Sequence, residues 1–154
     1  MSYAEFRHRV ALRVRWAEVD LQGVVFNGHY LAYGDVCVTE YWRAIGMTYP
    51  AAFVALGADL FVRKATLEYH APAVYDDELE VCGRTLRLGT TSLTFSVEMF
   101  RAGQRERPLV SGELIYVCTD PVTKLPQPLP APLRQRVRTY EKTAPAEAGA
   151  HAAG

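Results

Sequence analysis

Residues 19–35 read VDLQGVVFNGHYLAYGD, and the fold turns on where the helix inside this stretch begins. From Gly28 to about Ile45 the positions Leu31, Gly34, Val38, Trp42 and Ile45 recur every three or four residues, the period of an amphipathic helix. Such a helix is roughly 27 Å long, and Gly46 is placed to stop it through a left-handed cap. Upstream, Val10, Leu12, Val14 and Trp16 alternate with Ala11, Arg13 and Arg15, which predicts a strand with one buried face. The loop 17–27 joins the two. A helix entrance often carries one Asp as a cap. It has no need of Asp20, Gln22, Asn27, His29 and Tyr30 together, broken by Gly23 and Gly28.

Downstream, Pro50 is suited to open a short helix containing Phe53, Val54 and Leu56, closed by Gly57. The period then returns to two, with strands predicted at about 59–70, 77–88, 91–101 and 109–119; in the third, Leu93, Phe95, Val97 and Met99 alternate with Thr94, Ser96 and Glu98. RAGQ (101–104) reads as a tight turn, with Gly103 able to take positive φ. The last strand is apolar on both faces around Ile115 and Val117, which predicts that it is central in the sheet. Five prolines in 121–132 end the sheet, since proline cannot donate to a ladder, and a short helix is expected at 131–140. Residues 1–140 therefore read as one domain. The segment EKTAPAEAGAHAAG (141–154) has too little apolar surface to offset its ordering entropy and is expected to be a disordered tail. One long helix followed by four strands is an α+β pattern, with the helix covering one face of an antiparallel sheet. A single covering helix leaves a face or an edge open, so a partner subunit is expected.

Composition narrows the function. The chain has 154 residues, enough for a core without metal or disulfide staples, and balances 17 basic against 17 acidic residues. That balance argues against nucleic acid as a partner. Cys37, Cys82 and Cys118 have neither ligand nor redox spacing and lie in apolar segments, as buried free thiols of a reducing compartment do. No signal-peptide pattern and no membrane-spanning apolar run is present, so a cytoplasmic location is expected. Metal-ligand spacing, a nucleophile elbow and a phosphate-binding glycine loop are absent, and no cofactor is expected.

Asp20 admits two readings. It can serve its own turn by accepting from nearby backbone N–H groups. Alternatively, the loop holds its carboxylate opposite a helix N-terminus, where the amides near Asn27 and Gly28 have no intrahelical acceptor and face a developing oxyanion. A carboxylate base or nucleophile facing such amides is a minimal acyl-transfer apparatus. Gly23 and Gly28 suit a strained turn or a close approach of ligand to backbone. His29 can orient a carboxylate or substrate, and is equally ordinary near a helix start. Arg63, Lys64, Arg84 and Arg87 lie near strand ends, where they can meet an anionic ligand or simply face water. Asp35 and Glu40 are five apart and share no helical face, which fits two-carboxylate glycoside chemistry poorly. Cys37 reads as core.

The run D-L-Q-G-V-V-F-N-G-H-Y, Asp20 to Tyr30, resembles the signature of hotdog-fold acyl-CoA thioesterases of the 4-hydroxybenzoyl-CoA thioesterase type, through Asp20, Gly23, Val24, Val25, Phe26 and Tyr30. E-Y-H-A-P-A-V-Y-D-D-E-L (68–79) resembles the family's Tyr-x-x-Pro-Ala strand turn, and L-G-T-T-S-L-T-F (88–95) its Ser-bearing strand, with Ser92 in that place. The resemblance spans about residues 6–130. It implies a five-stranded antiparallel sheet wrapped around the long helix, assembled as a homodimer or homotetramer, and hydrolysis of an acyl-CoA thioester. It puts the active acid on Asp20 and the oxyanion donor on the Asn27 backbone N–H. Pantetheine would pass between subunits, with the phosphates near Arg63, Lys64 or Arg87. The chain departs from many relatives at Asn27 and His29, and in having Gly89-Thr90-Thr91 where some carry basic residues before the Ser. An aromatic slot for a short-to-medium or aromatic acyl group is expected from Phe26, Tyr30, Tyr33 and Phe53, closed by the short helix. The same scaffold also hosts non-hydrolytic ligand binders and dehydratases or hydratases. A loop Asp facing a helix entrance, rather than a His paired with an acid, favours hydrolysis.

Overall fold

Helix α1, Asn27–Ala44, buries Tyr30, Tyr33, Gly34, Cys37, Val38, Tyr41 and Trp42, the three-and-four spacing that lays one stripe on a sheet. In the computed structural model, which describes residues 1–148, that sheet wraps around the helix. Its strands are β1 (His8–Arg13), β2 (Asp59–Tyr69), β3 (Glu78–Leu88), β4 (Ser92–Arg101) and β5 (Val110–Thr119), in the order β1-β3-β4-β5-β2 with every neighbour antiparallel. This is the hotdog architecture. Short helices α2 (Ala51–Ala55) and α3 (Ala131–Tyr140) follow as expected, and Gly103 closes the β4–β5 turn at φ +79°.

The core lies between α1 and the inward residues of the central strands, with Leu93, Phe95, Val97 and Met99 of β4 fully buried. Gly83 on β3 sets how closely the layers approach. A Cβ there would stand 2.4 Å from the Phe95 ring and 2.8 Å from Cys37 Sγ, so no larger residue fits without displacement. β5 is interior, as its two apolar faces require, but β4 is the central strand. The outer face of β4 is covered as well: Tyr3 and Phe6 of the N-terminal segment pack on Cys82 and Phe100. All three cysteines are buried free thiols.

Two expectations need correction. The first strand ends at Arg13, and Trp16 is not an inward strand residue but is 82% exposed in a single 3₁₀ turn, Trp16–Glu18. The Glu18 carboxylate accepts the Arg15 backbone N–H at 2.7 Å and turns the chain out of the sheet. The second concerns the tail. Glu141 is buried and accepts from the Tyr41 hydroxyl and the Thr85 N–H, both at 2.7 Å, while Ala146–Glu147 form β6, a short parallel partner for Arg87 and Leu88 of β3. Specific polar contacts hold 141–148 where apolar area alone would not. Residues 149–154 lie outside the described residues, and with them the rest of the expected tail.

Candidate active site

Asp20 sits in a tight reversal between Val19 and Val25, which form an isolated bridge. Its N–H donates to Val24 O at 2.9 Å, its carbonyl accepts from Gly23 N at 3.0 Å, and Gly23 adopts φ +78°, open to glycine at little cost. One carboxylate oxygen, Oδ1, accepts the Gln22 N–H at 2.8 Å. Among the described residues no group donates to Oδ2. The two readings of Asp20 are thus compatible in geometry: one oxygen serves the turn and the other is free to serve a ligand.

The loop is clamped from below. Phe26 N donates to Glu18 O at 2.9 Å, and Val25 N to Ala73 O at 2.9 Å. Buried Glu18 faces the Tyr33 hydroxyl; burial works against its charge, but the backbone and guanidinium of Arg15 outweigh it and hold the carboxyl below its usual range. Burial first, and the Glu18 charge second, push the Tyr33 phenol well above its ordinary value. Tyr33 is therefore a buried support under the loop rather than a wall of a slot.

Helix α1 starts at Asn27, with Phe26 as N-cap and no side-chain cap. The N–H groups of Asn27 and Gly28 meet no acceptor among the described residues. They are donors at the positive end of an eighteen-residue helix. Asp20, Gln22, Val24, Val25, Asn27, Tyr30, Tyr69, His70, Ala71 and Pro72 enclose a cavity of about 280 Å³. Tyr30 OH accepts the Ala73 N–H at 2.9 Å, and the Tyr69 hydroxyl donates to Asn27 O at 3.1 Å. A second, apolar groove of about 450 Å³ runs along the same helix from Gly28 through Leu31 and Ala32 to Asp35, against Val62, Leu114 and Tyr116. Its residues Leu31, Val62 and neighbouring Phe61 are exposed, and β2 is an edge strand.

Of the expected site residues, the fold brings Asp20, Asn27 and Tyr30 around one cavity, with Gly23 in the Asp20 turn and Gly28, the next residue of the helix entrance, lining the apolar groove. Phe26 and His29 pack edge to face with centroids 5.8 Å apart, beside that cavity rather than lining it. Phe53 is elsewhere. It is buried against Trp42, with ring centroids 5.4 Å apart, and Trp42 lies about 22 Å down the helix from Asn27. Phe53 and α2 therefore belong to the core at the far end of α1. Ser92 opens β4, where its carbonyl accepts from Gly89 N at 2.7 Å, and does not border the Asp20 cavity. Arg63 and Lys64 are exposed at a bulge of β2, and Arg87 is exposed at the bulge end of β3; none lines the cavity within one chain. Arg84 is instead buried, near Glu5 and the Thr143 carbonyl. Tyr69 and Pro72 are the Tyr and Pro of the Tyr-x-x-Pro-Ala motif, but the sequence gives no reason to place them, or His70 and Ala71 between them, at the site. Among the described residues no three His, Cys, Asp or Glu side chains are grouped to hold a metal ion, and no helix is long and apolar enough to cross a membrane.

The chain is similar to several known proteins. The acyl-CoA thioester hydrolase YbgC of Escherichia coli O157:H7 is 34% identical over 123 residues, covering 79% of this chain and 89% of that protein. Among solved structures, a Pseudomonas aeruginosa PAO1 protein superposes with a TM-score of 0.81 at 24% identity, covering 93% of this chain and 97% of its own. A 1,4-dihydroxy-2-naphthoyl-CoA thioesterase from Synechocystis does so with a TM-score of 0.77 at 18% identity, covering 84% and 94%. Both likenesses concern the fold. The family model of the thioesterase superfamily matches residues 22–108, beginning just after Asp20. With more than half its length matched by that model and a relative of this identity aligned along most of it, the chain belongs to the thioesterase superfamily.

Proposed function

We propose that the protein hydrolyses acyl-CoA thioesters, with Asp20 as the reacting carboxylate and the N–H groups of Asn27 and Gly28 as the oxyanion donors. One observation carries this reading: a carboxylate with a free oxygen and the uncapped entrance of a long helix border the same cavity. The thioester carbonyl lies between them. Attack on its carbon, by water that gives a proton to Asp20 or by Asp20 itself, moves charge onto the carbonyl oxygen. The helix amides stabilise that charge. Collapse expels the CoA thiolate; by the water route it takes up the proton held on Asp20, and by the direct route it is protonated from solvent, the balance being restored by the proton that water releases on opening the anhydride. By the direct route the acyl–Asp20 anhydride is then opened by water.

The substrate class is a short-to-medium or aromatic acyl-CoA, read from a cavity walled by Tyr30 and Tyr69. The active form is at least a dimer in which a second copy joins the free β2 edge and covers the apolar groove beside it. A long unpaired edge flanked by exposed Leu31, Phe61 and Val62 supports this. Arg63, Lys64 and Arg87, outside the cavity of their own chain, are then available to CoA phosphates from across the interface.

Asp20→Asn is a clean test, because an amide oxygen can still accept the Gln22 N–H and keep the turn. Thiol release from acyl-CoAs of graded length, benzoyl-CoA and phenylacetyl-CoA is measured for both proteins. The expected result is a kcat fall of at least about 100-fold with KM within a few-fold. A risen KM with unchanged kcat makes Asp20 a binding or structural group, and no release by the wild type from any of these substrates overturns the activity. Label from ¹⁸O-water in the Asp20 carboxylate after a single turnover identifies the anhydride route.

A further inference from the structure

We infer that Tyr69 is a positioning residue that polarises one of the two oxyanion donors, the Gly28 N–H; this rests on the thioesterase reading of the Asp20 cavity. The Asn27 carbonyl and the Gly28 N–H are opposite ends of one planar amide. The Tyr69 hydroxyl donates to that carbonyl oxygen at 3.1 Å. A hydrogen bond onto the oxygen draws charge through the amide and makes its N–H a stronger donor, as in any hydrogen-bonded chain. The same bond fixes the plane of the amide, and so the direction in which the Gly28 N–H points.

Tyr69 is held for this task from both faces of the sheet. Its ring packs edge to face on Tyr30, with centroids 5.6 Å apart, and Tyr30 is itself pinned by the Ala73 N–H. Successive strand residues point to opposite faces, and the next residue, His70, anchors the strand end on the other side. Its Nε2 meets Ser111 Oγ at 3.0 Å, and that hydroxyl donates to the Glu98 carboxylate at 3.0 Å. Backbone bonds from His70 N and Ala71 N to Leu109 O complete the anchor. The ring of Phe26 lies over Gly28, where a Cβ would come within 3.0 Å of it, which also favours a bare backbone at this amide. Tyr69 is half exposed, and among the described residues its hydroxyl makes no other hydrogen bond.

The test replaces Tyr69 with Phe and, separately, with 3-fluorotyrosine, whose more acidic hydroxyl is a stronger donor; assays run at a pH where that phenol stays protonated. Wild type and both variants are compared by kcat, KM and Tm on the best acyl-CoA. One neutral hydrogen bond corresponds to a fall of about 3- to 10-fold in kcat for Tyr69→Phe, with KM within about twofold and Tm little changed. The fluorinated enzyme should exceed wild type in kcat. A purely structural hydroxyl would change Tm, and would not order kcat as Phe below Tyr below fluorotyrosine. Any other order, or a kcat independent of residue 69 in a wild type that hydrolyses acyl-CoA, overturns this assignment alone. A wild type that releases no thiol sinks the thioesterase reading, and this assignment with it.

Discussion

Replacing Glu141 tests how the C-terminal segment is held on the fold. Its Oε1 accepts the Tyr41 hydroxyl and the Thr85 N–H, and Thr85 Oγ1 adds a 3.0 Å bond to the same Tyr41 oxygen. Burial raises the Glu141 pKa; the Tyr41 and Thr85 bonds and the charges of Arg84 and Arg7 oppose it without cancelling it. A carboxyl whose pKa is raised by folding contributes stability that is fully present below its unfolded value, near 4.3, and that is lost as pH climbs through the folded value. Glu141→Gln keeps an acceptor for both donors and has no charge to bury. Relative to the wild type it should gain stability as pH rises from about 4.3 through the folded-state pKa, by about 1.4 kcal/mol for each unit by which folding raises that pKa. Glu141→Ala instead leaves the buried Thr85 N–H and the Tyr41 hydroxyl short of an acceptor. At about 1–3 kcal/mol for each unsatisfied group, the loss for the two is roughly 2–6 kcal/mol. Urea unfolding followed by circular dichroism, at fixed protein concentration and several pH values, measures both differences. If Glu141→Gln is as damaging as Glu141→Ala at pH 7, the charge itself is required and the reasoning fails.

Gly83→Ala should lower stability by about 1–3 kcal/mol, the ordinary cost of overpacking, since the new methyl would meet the Phe95 ring and Cys37 Sγ; an unchanged melting temperature would mean that the two layers can part freely. Val62→Lys puts a charge in the apolar groove beside the β2 edge, where Val62 is 53% exposed in the single chain. Sedimentation should then show a monomer with thiol release reduced at least about tenfold, since a buried unpaired charge is costly; a dimer of full activity would place the interface elsewhere.

Much of this protein was legible along the chain because the signals are local and periodic. The three-and-four spacing from Leu31 to Ile45 and the two-residue alternation of the later strands depend only on which face of an element is buried, and they located α1 and β2–β5 to within a residue or two. The polar crowding at Asp20 to Tyr30 likewise marked the loop and the helix entrance that border the cavity, since adjacent residues cannot be far apart. Other features depend on contacts between residues remote in sequence. Alternation carried the first strand on to Trp16, but the Glu18 carboxylate turns the chain after Val14. Composition made 141–148 a tail, whereas two hydrogen bonds to Glu141 and pairing with β3 order it. Phe53 was grouped with Phe26 and Tyr30 as an aromatic, yet the length of α1 separates them. Tyr69 reaches Asn27, 42 positions earlier, only because the end of β2 returns beside the start of α1. Periodicity reports the environment of a face, and the sequence by itself determined the elements and marked the polar loop that borders the cavity. Which side chains meet at the ends of those elements is set by how the sheet closes around the helix, and that the tertiary structure alone decided.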